Sequence, residues 1–258
     1  MGLYMKYFSI HVKSQMQYKS SFFFSFLGQF FVTFSIFLSV NFLFARFDSV
    51  GGFYYDEVLI GFAVIMMAYS GTQLVARSFE NFPILLGNGS FDRILMRPRN
   101  SVFQVLASQV EFSRLGRFTQ AVVILVYAIN LSDIIWTWDN VLTISLMIVC
   151  GAILFFGLFV ICAAFSFFTT EGLEFLNIVT HGAAEHGRLP FGVYGDGVLT
   201  FLTYVVPIAL VQYYPLLYLI GREDNFLFAL TPLLSLLFLL PCWGFFQFGL
   251  RRYRSTGS

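Results

Sequence analysis

The residues best suited to chemistry in this sequence form one short cluster, His181-Gly-Ala-Ala-Glu185-His186. On a helix, His181 and Glu185 would share a face, because residues four apart are neighbours. Zinc motifs of this kind space their residues as His-x-x-Glu-His, whereas this cluster holds one residue more. Gly182 and Gly187 also weaken a helix. We therefore interpret the cluster as a solvated interfacial loop and predict no metal site.

The sequence also lacks the residues that P-loop enzymes use to hydrolyse nucleotides. That loop needs Gly-Lys-Ser/Thr, because its lysine reaches the phosphates from a glycine-rich turn. The three lysines of this chain, Lys6, Lys13 and Lys19, follow Met, Val and Tyr. We therefore predict neither catalytic residues nor a cofactor on this chain.

The composition is that of a membrane protein. Of 258 residues, 58% are hydrophobic and only 11% are charged, whereas ordinary globular domains have about 45–50% and about 25%. So few charges cannot cover a soluble surface. The net charge of +1 gives no reason to expect nucleic acid as a partner, and the three cysteines lie in apolar runs as small buried hydrophobes.

Uncharged stretches divide the chain into transmembrane helices, each needing about 20 mostly apolar residues. The third stretch is short, so we extend its helix backward and place Glu111, Arg114 and Arg117 at its inner end. The expected fold is an all-α membrane protein with one transmembrane domain over residues 1–258. The predicted spans are residues 20–45, 58–77, 103–132, 140–168, 197–220 and 225–250.

The basic residues predict the orientation. Thirteen lysines and arginines fall on one side of this topology, and two, Arg46 and Arg222, on the other. Since positive charge concentrates on the cytoplasmic side, both termini are expected in the cytoplasm. Residues 1–19 carry apolar side chains at helical spacing, which favours an amphipathic helix in the membrane interface; a plain cytoplasmic lead-in is the alternative.

The polar residues within the predicted spans have two interpretations. They could line a translocation path, or they could hydrogen-bond to neighbouring helices. Pro207 and Pro215 predict a kinked or broken fifth helix, a device common at substrate pathways. The candidate path residues are Ser25, Gln29, Thr33, Gln73, Thr203 and Gln212.

Away from their inner ends, the predicted spans lack charged residues and histidine, which argues against an ion-coupled transporter, because such proteins normally relay ions through ionisable groups. An ion-coupled transporter or channel that works without an ATPase nevertheless stays open as an alternative, as does a membrane scaffold.

The connection after the second span is too polar to cross a membrane. Pro83, Gly87-Asn88-Gly89 and Pro98 break it into two short helices. We expect its apolar residues to form contacts, and Arg93 and Arg97, four residues apart, to face an acidic rim. The alternative is an interfacial helix whose arginines meet anionic lipid headgroups.

This connection carries a resemblance to a known family. Gly89-Ser-Phe-Asp-Arg-Ile-Leu-Met-Arg-Pro98 resembles the motif after the second helix of type-2 ABC exporter permeases. Three further stretches resemble a bacterial permease subfamily: Tyr18-Lys-Ser-Ser-Phe22, Glu171-Gly-Leu-Glu-Phe-Leu-Asn177 and Leu250-Arg-Arg-Tyr-Arg-Ser-Thr-Gly-Ser258. The resemblance covers most of the chain. It implies six helices per subunit, a second permease subunit, the same or different, and cytoplasmic ATPase subunits that bind ATP and Mg²⁺.

The resemblance further implies ATP-driven export across a bacterial inner membrane by alternating access, and the aromatic spans favour a hydrophobic or amphipathic cargo. Many such exporters place re-entrant helices between helices five and six. Here either residues 211–221 supply a shortened version or the feature is missing. The implied ATPase-docking residues are Phe79, Phe82, Leu85, Leu86, Phe91, Asp92, Arg93 and Arg97, with residues 173–179 as a second docking candidate.

Overall fold

In a computed structural model, the chain is described at residues 2–169, 180–182, 184–185, 187 and 189–253. These residues form helices joined by turns and loops. The helices are α1 (Gly2–Met16), α2 (Lys19–Phe44), α3 (Tyr55–Glu80), α4 (Phe82–Gly87), α5 (Ser90–Leu95), α6 (Ser101–Leu106), α7 (Leu115–Leu131), α8 (Trp138–Phe165), α9 (Asp196–Tyr204), α10 (Ala209–Leu219), α11 (Phe226–Ser235) and α12 (Leu239–Arg252). Short 3₁₀ turns, Phe112–Arg114, Phe191–Tyr194 and Leu236–Phe238, precede α7, α9 and α12.

Helix α3 is the centre of the bundle. Its residues 58–70 are all buried, and it packs against α7, α8 and α10. The approach of α8 is close because Gly151 lies against Ala68, where a Cβ atom would come within 2.9 Å. Thr72 Oγ1 also donates a hydrogen bond to Ala152 O over 2.8 Å. A continuous apolar run without alternation thus corresponds to a helix covered on all faces.

The two ends of α3 serve to define the two ends of the bundle, the Tyr55 end and the Glu80 end. Helix α2 finishes at the Tyr55 end, where the rings of Phe44 and Tyr55 lie 5.6 Å apart. Helix α12 finishes at the Glu80 end, where Tyr253 Oη donates to Asp92 Oδ1 over 3.0 Å. The start of α2 and the end of α12 therefore lie on one side, as predicted for the two termini; which side is cytoplasmic stays a prediction.

Among the described residues, five helical segments are long and apolar enough to cross a membrane. The third differs from the prediction, because the helix expected from residue 103 is interrupted. Helix α6 is a separate short helix, capped by the Asn100 side chain that accepts from Val102 N and Phe103 N. Polar side chains within residues 107–111 form hydrogen bonds or ion pairs with residues at the Glu80 end, so the membrane-spanning helix itself begins later. The five segments are Lys19–Phe44, Tyr55–Gly87, Phe112–Leu131, Trp138–Phe165 and Phe226–Arg252.

Helices α9 and α10 form a re-entrant pair, bent by 114° at a short break that contains Pro207. Before the pair, Val193 lies against Gly51. After it, Arg222 donates to Gly52 O over 2.6 Å. Both flanks therefore lie at the Tyr55 end, so the pair enters the membrane and leaves it on the same side. The predicted single crossing at residues 197–220 is wrong, while the predicted break in this region is confirmed.

The chain changes ends before this pair. Phe167 packs on Phe82 at the Glu80 end, with ring centroids 5.2 Å apart, whereas Val193 lies at the Tyr55 end. The predicted spans 140–168 and 197–220 leave residues 169–196 as one connection on a single side of the membrane, and this part of the prediction is therefore wrong. The second docking candidate, residues 173–179, lies outside the described residues.

Helix α1 packs on the chain that precedes α7. His11 Nε2 lies 3.0 Å from Ala107 O, Gln15 Nε2 donates to Val110 O over 2.6 Å, and the rings of Phe8 and Phe112 are 4.9 Å apart. Part of the face predicted to contact the membrane therefore contacts protein. Its placement in the interface stays a prediction.

Candidate functional site

The pair α4–α5 forms a compact tip at the Glu80 end of α3. Only Asn81 separates α3 from α4. The turn between α4 and α5 uses Gly89, whose φ of 66° is left-handed and favours glycine. Ser90 N donates to Asn88 Oδ1 over 3.0 Å, which fixes the start of α5. The tip is thus a direct continuation of the central helix.

An aromatic cluster joins the tip to three long helices. Phe82 lies 5.0 Å from Phe91 and 5.8 Å from Phe246, measured between ring centroids. Phe79 of α3 lies 5.8 Å from Phe246 of α12, and Phe167 follows α8. Phe79, Phe82, Phe91 and Phe246 are fully buried. The tip therefore packs on the ends of α3, α8 and α12 without exposing these rings.

This packing corrects the prediction of which apolar residues are presented at the tip surface. The resemblance implies Phe82, Leu86 and Phe91 as residues that contact the ATPase, but each is at most 2% exposed. Phe79 is buried as well, and Leu85 is half-buried. The physical reason is that the rings find partners in Phe167 and Phe246, which are distant in sequence.

Other residues form the exposed face, which we call the tip surface. Met96 is 85% exposed, Ile84 64% and Leu95 42%. Arg93 and Arg97 are exposed beside them, and Arg93 Nη2 donates to Ser90 Oγ over 2.9 Å; the acidic rim that they are expected to face stays a prediction. The tip surface thus combines apolar side chains with two guanidinium groups.

A charge cluster links α3 to the start of α7 just above the tip. Arg77 forms an ion pair with Glu80, and its Nε lies 3.0 Å from Glu111 Oε2. Arg114 Nε lies 3.3 Å from the same oxygen. Arg114 Nη1 also donates to Gln29 Oε1 over 3.1 Å. Glu111 therefore bridges two arginines, and α2 is attached to the cluster through Gln29.

The cluster extends to His181. Its Nε2 lies 3.3 Å from Glu80 Oε1, and its Nδ1 is hydrogen-bonded to Tyr69 Oη. Gln73 Nε2 donates to both Glu80 oxygens, over 3.1 and 3.0 Å, and to Tyr69 Oη over 3.0 Å. His181 thus has specific partners on α3. The interpretation of its segment as a solvated loop does not predict these contacts. His186, the other histidine of that sequence segment, lies outside the described residues.

A second polar centre lies at the re-entrant pair. Gln212 is fully buried, and its Nε2 donates to Gly187 O over 3.0 Å and to Leu189 O over 3.2 Å. Its Oε1 accepts from Phe191 N over 3.3 Å. Non-helical backbone inside a membrane protein needs internal partners of this kind. Gln212 therefore holds the chain that leads to α9.

The six candidate path residues fall in separate places. Gln29 and Gln73 belong to the charge cluster, whereas Gln212 lies at the re-entrant pair, where Thr203 Oγ1 is 3.2 Å from Tyr214 Oη. On α2, Thr33 is 1% exposed, while Ser25 is exposed. Hydrogen bonding to a neighbouring helix, the alternative interpretation, accounts for Gln29 and Thr203. Gln73 instead bonds to residues of its own helix, and Gln212 to the chain before α9; a role of these residues in a path stays a prediction.

The Tyr55 end is acidic. An open cavity of about 920 Å³ lies between the ends of α3, α8 and α10. The only basic residues at this end among the described ones are Arg46 and Arg222, and Arg222 Nη2 is paired with Glu57 Oε2. The carboxylates that line the cavity are Asp48, Asp56, Glu57, Asp133, Asp139, Glu223 and Asp224.

Comparison with known proteins supports one assignment. Searches of curated proteins and of solved structures gave no match. A family model described as "ABC-2 family transporter protein" matches residues 30–257. The match includes the tip, the re-entrant pair and, apart from Gln29, the charge cluster. The chain therefore belongs to the ABC-2 transporter family, and it is the permease subunit, the membrane component of an ABC transporter.

Proposed function

We propose that this permease works as an ATP-driven exporter together with a second permease subunit and cytoplasmic ATPase subunits. ATP and Mg²⁺ would bind to the ATPase chains. The observation that carries the proposal is the tip surface, because it is exposed and yet packed directly onto the central helix. Its residues are Ile84, Arg93, Leu95, Met96 and Arg97.

The chemistry of the tip surface suits a protein partner. Protein interfaces favour methionine and arginine at their centres, and the charge around an apolar contact fixes its orientation. Arg93 and Arg97 would face an acidic rim on the ATPase. If the tip instead lay in the lipid interface, the same arginines would meet headgroups, and the experiment below separates the two cases.

The packing beneath the tip supports a mechanical role. The buried rings of Phe82 and Phe91 leave little space for the tip to move independently of α3, because close-packed interiors transmit displacement. Closure of the ATPase subunits on ATP would displace the tip and shift the bundle between inward- and outward-open states. ATP must bind one of these states more tightly for this to occur.

The distribution of charge supports the orientation. Among the described residues, eleven lysines and arginines lie at the Glu80 end and two at the Tyr55 end. The Glu80 end, with the tip, the start of α2 and the end of α12, would therefore lie in the cytoplasm of a bacterial cell, and both termini with it. The aromatic, apolar spans favour a hydrophobic or amphipathic cargo.

The test is recovery of the ATPase with a tagged permease. Met96→Asp places a carboxylate in the tip surface, and we expect about a tenfold loss of co-purifying ATPase, equivalent to about 1.4 kcal/mol. Ile135→Asp is the matched control, since Ile135 is 82% exposed in the connection before α8 at the opposite end. Equal recovery from both variants and the parent would place the docking surface elsewhere.

A further inference from the structure

The charge cluster has an excess of arginine. Arg77, Arg114 and Arg117 lie on α3 and at the start of α7, and two glutamates, Glu80 and Glu111, face them. Both glutamates are occupied, Glu80 by Arg77 and His181, and Glu111 by Arg77 and Arg114. The contacts among the described residues therefore leave one guanidinium without a carboxylate.

Arg117 is that guanidinium. It forms neither a hydrogen bond nor an ion pair with any described residue, and its Nε is buried without a partner. It lies on the membrane-spanning segment Phe112–Leu131, within electrostatic range of Arg114, Arg77 and Glu80. A charged group in a span is costly and is generally retained for a function.

Gln120 lies one turn further along α7, on the face of Arg117. Its side chain is 3% exposed, and its Oε1 is buried without a hydrogen-bond partner. The oxygen and nitrogen of such an amide are interchangeable by rotation, so Gln120 can present two N–H donors at this position. A buried amide without a partner is rare in folded proteins, and here it accompanies an unpaired arginine.

We infer that Arg117 and Gln120 bind an anionic group, a phosphate or carboxylate, of an amphipathic molecule in the leaflet at the Glu80 end. A guanidinium presents two parallel N–H donors that match such groups. The Gln120 amide adds a neutral donor one turn deeper. The anion would complete the charge balance of the cluster, and the apolar part of the ligand would remain among the lipid chains. This inference does not depend on the ATPase partner.

The test compares the full chain in nanodiscs of different lipids. We expect phosphatidylglycerol to raise the Tm of the parent protein relative to phosphatidylcholine, because a ligand that binds only the folded state stabilises it. Arg117→Gln should lose most of that rise and reduce bound phosphatidylglycerol, measured by native mass spectrometry, by about tenfold. Arg99→Gln, which changes an exposed arginine at the same end, should behave like the parent.

Three further measurements decide the interpretation. In phosphatidylcholine alone, Arg117→Gln should be at least as stable as the parent, since the removed charge has no partner; this excludes misfolding. Inorganic phosphate added to phosphatidylcholine nanodiscs tests a soluble anion, and a Tm rise that requires Arg117 would assign the same site to that source. The inference fails if Arg117→Gln keeps the full lipid response, or if neither anion stabilises the parent.

Discussion

Arg222 Nη2 lies 2.8 Å from Glu57 Oε2, so the residue that follows the re-entrant pair is attached to the first turn of the central helix. The same guanidinium stacks 4.4 Å above the ring of Phe53. Glu57 in turn accepts from Tyr54 N over 2.9 Å. These contacts fix where the pair ends, and they place both of its flanks at one end of the bundle.

That placement predicts how the chain is labelled from outside the cell. Cysteines introduced at Asp196 and Glu223, before and after the re-entrant pair, should react with a membrane-impermeant maleimide from the same side as a cysteine at Asp139. A single crossing would put Asp196 and Glu223 on opposite sides. The background should lack the native Cys150, Cys162 and Cys242.

The orientation is testable with the C-terminus. A reporter that fluoresces only in the cytoplasm should give signal when fused to Ser258 and none when inserted near Asp139. The expected result follows from the concentration of basic residues at the Glu80 end. The opposite pattern would invert the whole assignment.

The contact between α2 and α7 predicts a sharp effect at Gly116. A Cβ atom there would overlap the carbonyl oxygen of Phe26 and come within 3.1 Å of Phe30 N. Backbone atoms cannot rotate away, so Gly116→Ala should separate the helices and cost about 1–3 kcal/mol, seen as a lower Tm in detergent. Gly28→Ala is the control, because nothing lies within 4 Å of its Cβ position; a similar loss there would point to a general glycine effect.

Gln212→Leu should destabilise the protein strongly. It leaves three backbone groups without their side-chain partner, those of Gly187, Leu189 and Phe191, and a buried group of this kind costs about 1–3 kcal/mol. We expect a Tm several degrees lower and easier proteolysis near Val193. Gln17→Leu, at an exposed position on the same chain, should change neither measurement.

Truncation to alanine should lower the stability of the protein at Phe91 but not at Met96. Phe91 is fully buried among Phe82, Phe167 and Tyr253, so Phe91→Ala should cost about 3–5 kcal/mol of stability. Met96→Ala removes an exposed side chain and should leave the Tm unchanged. If Phe91→Ala were thermally neutral, the aromatic cluster would not hold the tip to the bundle.

Much of the helical arrangement could be predicted from the sequence, because long uncharged runs have few alternatives in a membrane protein. Four predicted spans overlap α2, α3, α8 and the segment Phe226–Arg252 closely. The error at residues 197–220 arose because a run of suitable length and polarity does not show whether it crosses or turns back. That distinction depends on contacts of Val193 and Arg222 with residues more than 100 positions away.

The candidate site was harder to predict for the same reason. The i,i+3 pairs Arg77–Glu80 and Glu111–Arg114 were visible signals at the ends of predicted spans, but nothing in the sequence joined them. Glu111 does so across more than 30 residues. At the tip, the sequence indicated two short helices but not which of their faces would meet Phe167 and Phe246.

The central position of α3 determines how the molecule can deform. Because one residue, Asn81, connects α3 to the tip, we expect a displacement of Met96 or Arg97 to reach the central helix α3 before it reaches the outer helices. Helix α2 packs mainly on α7 and so lies at the edge of the bundle. Under the proposed function, the helix that the ATPase would displace first, α3, and the peripheral helix, α2, are therefore different parts of the bundle.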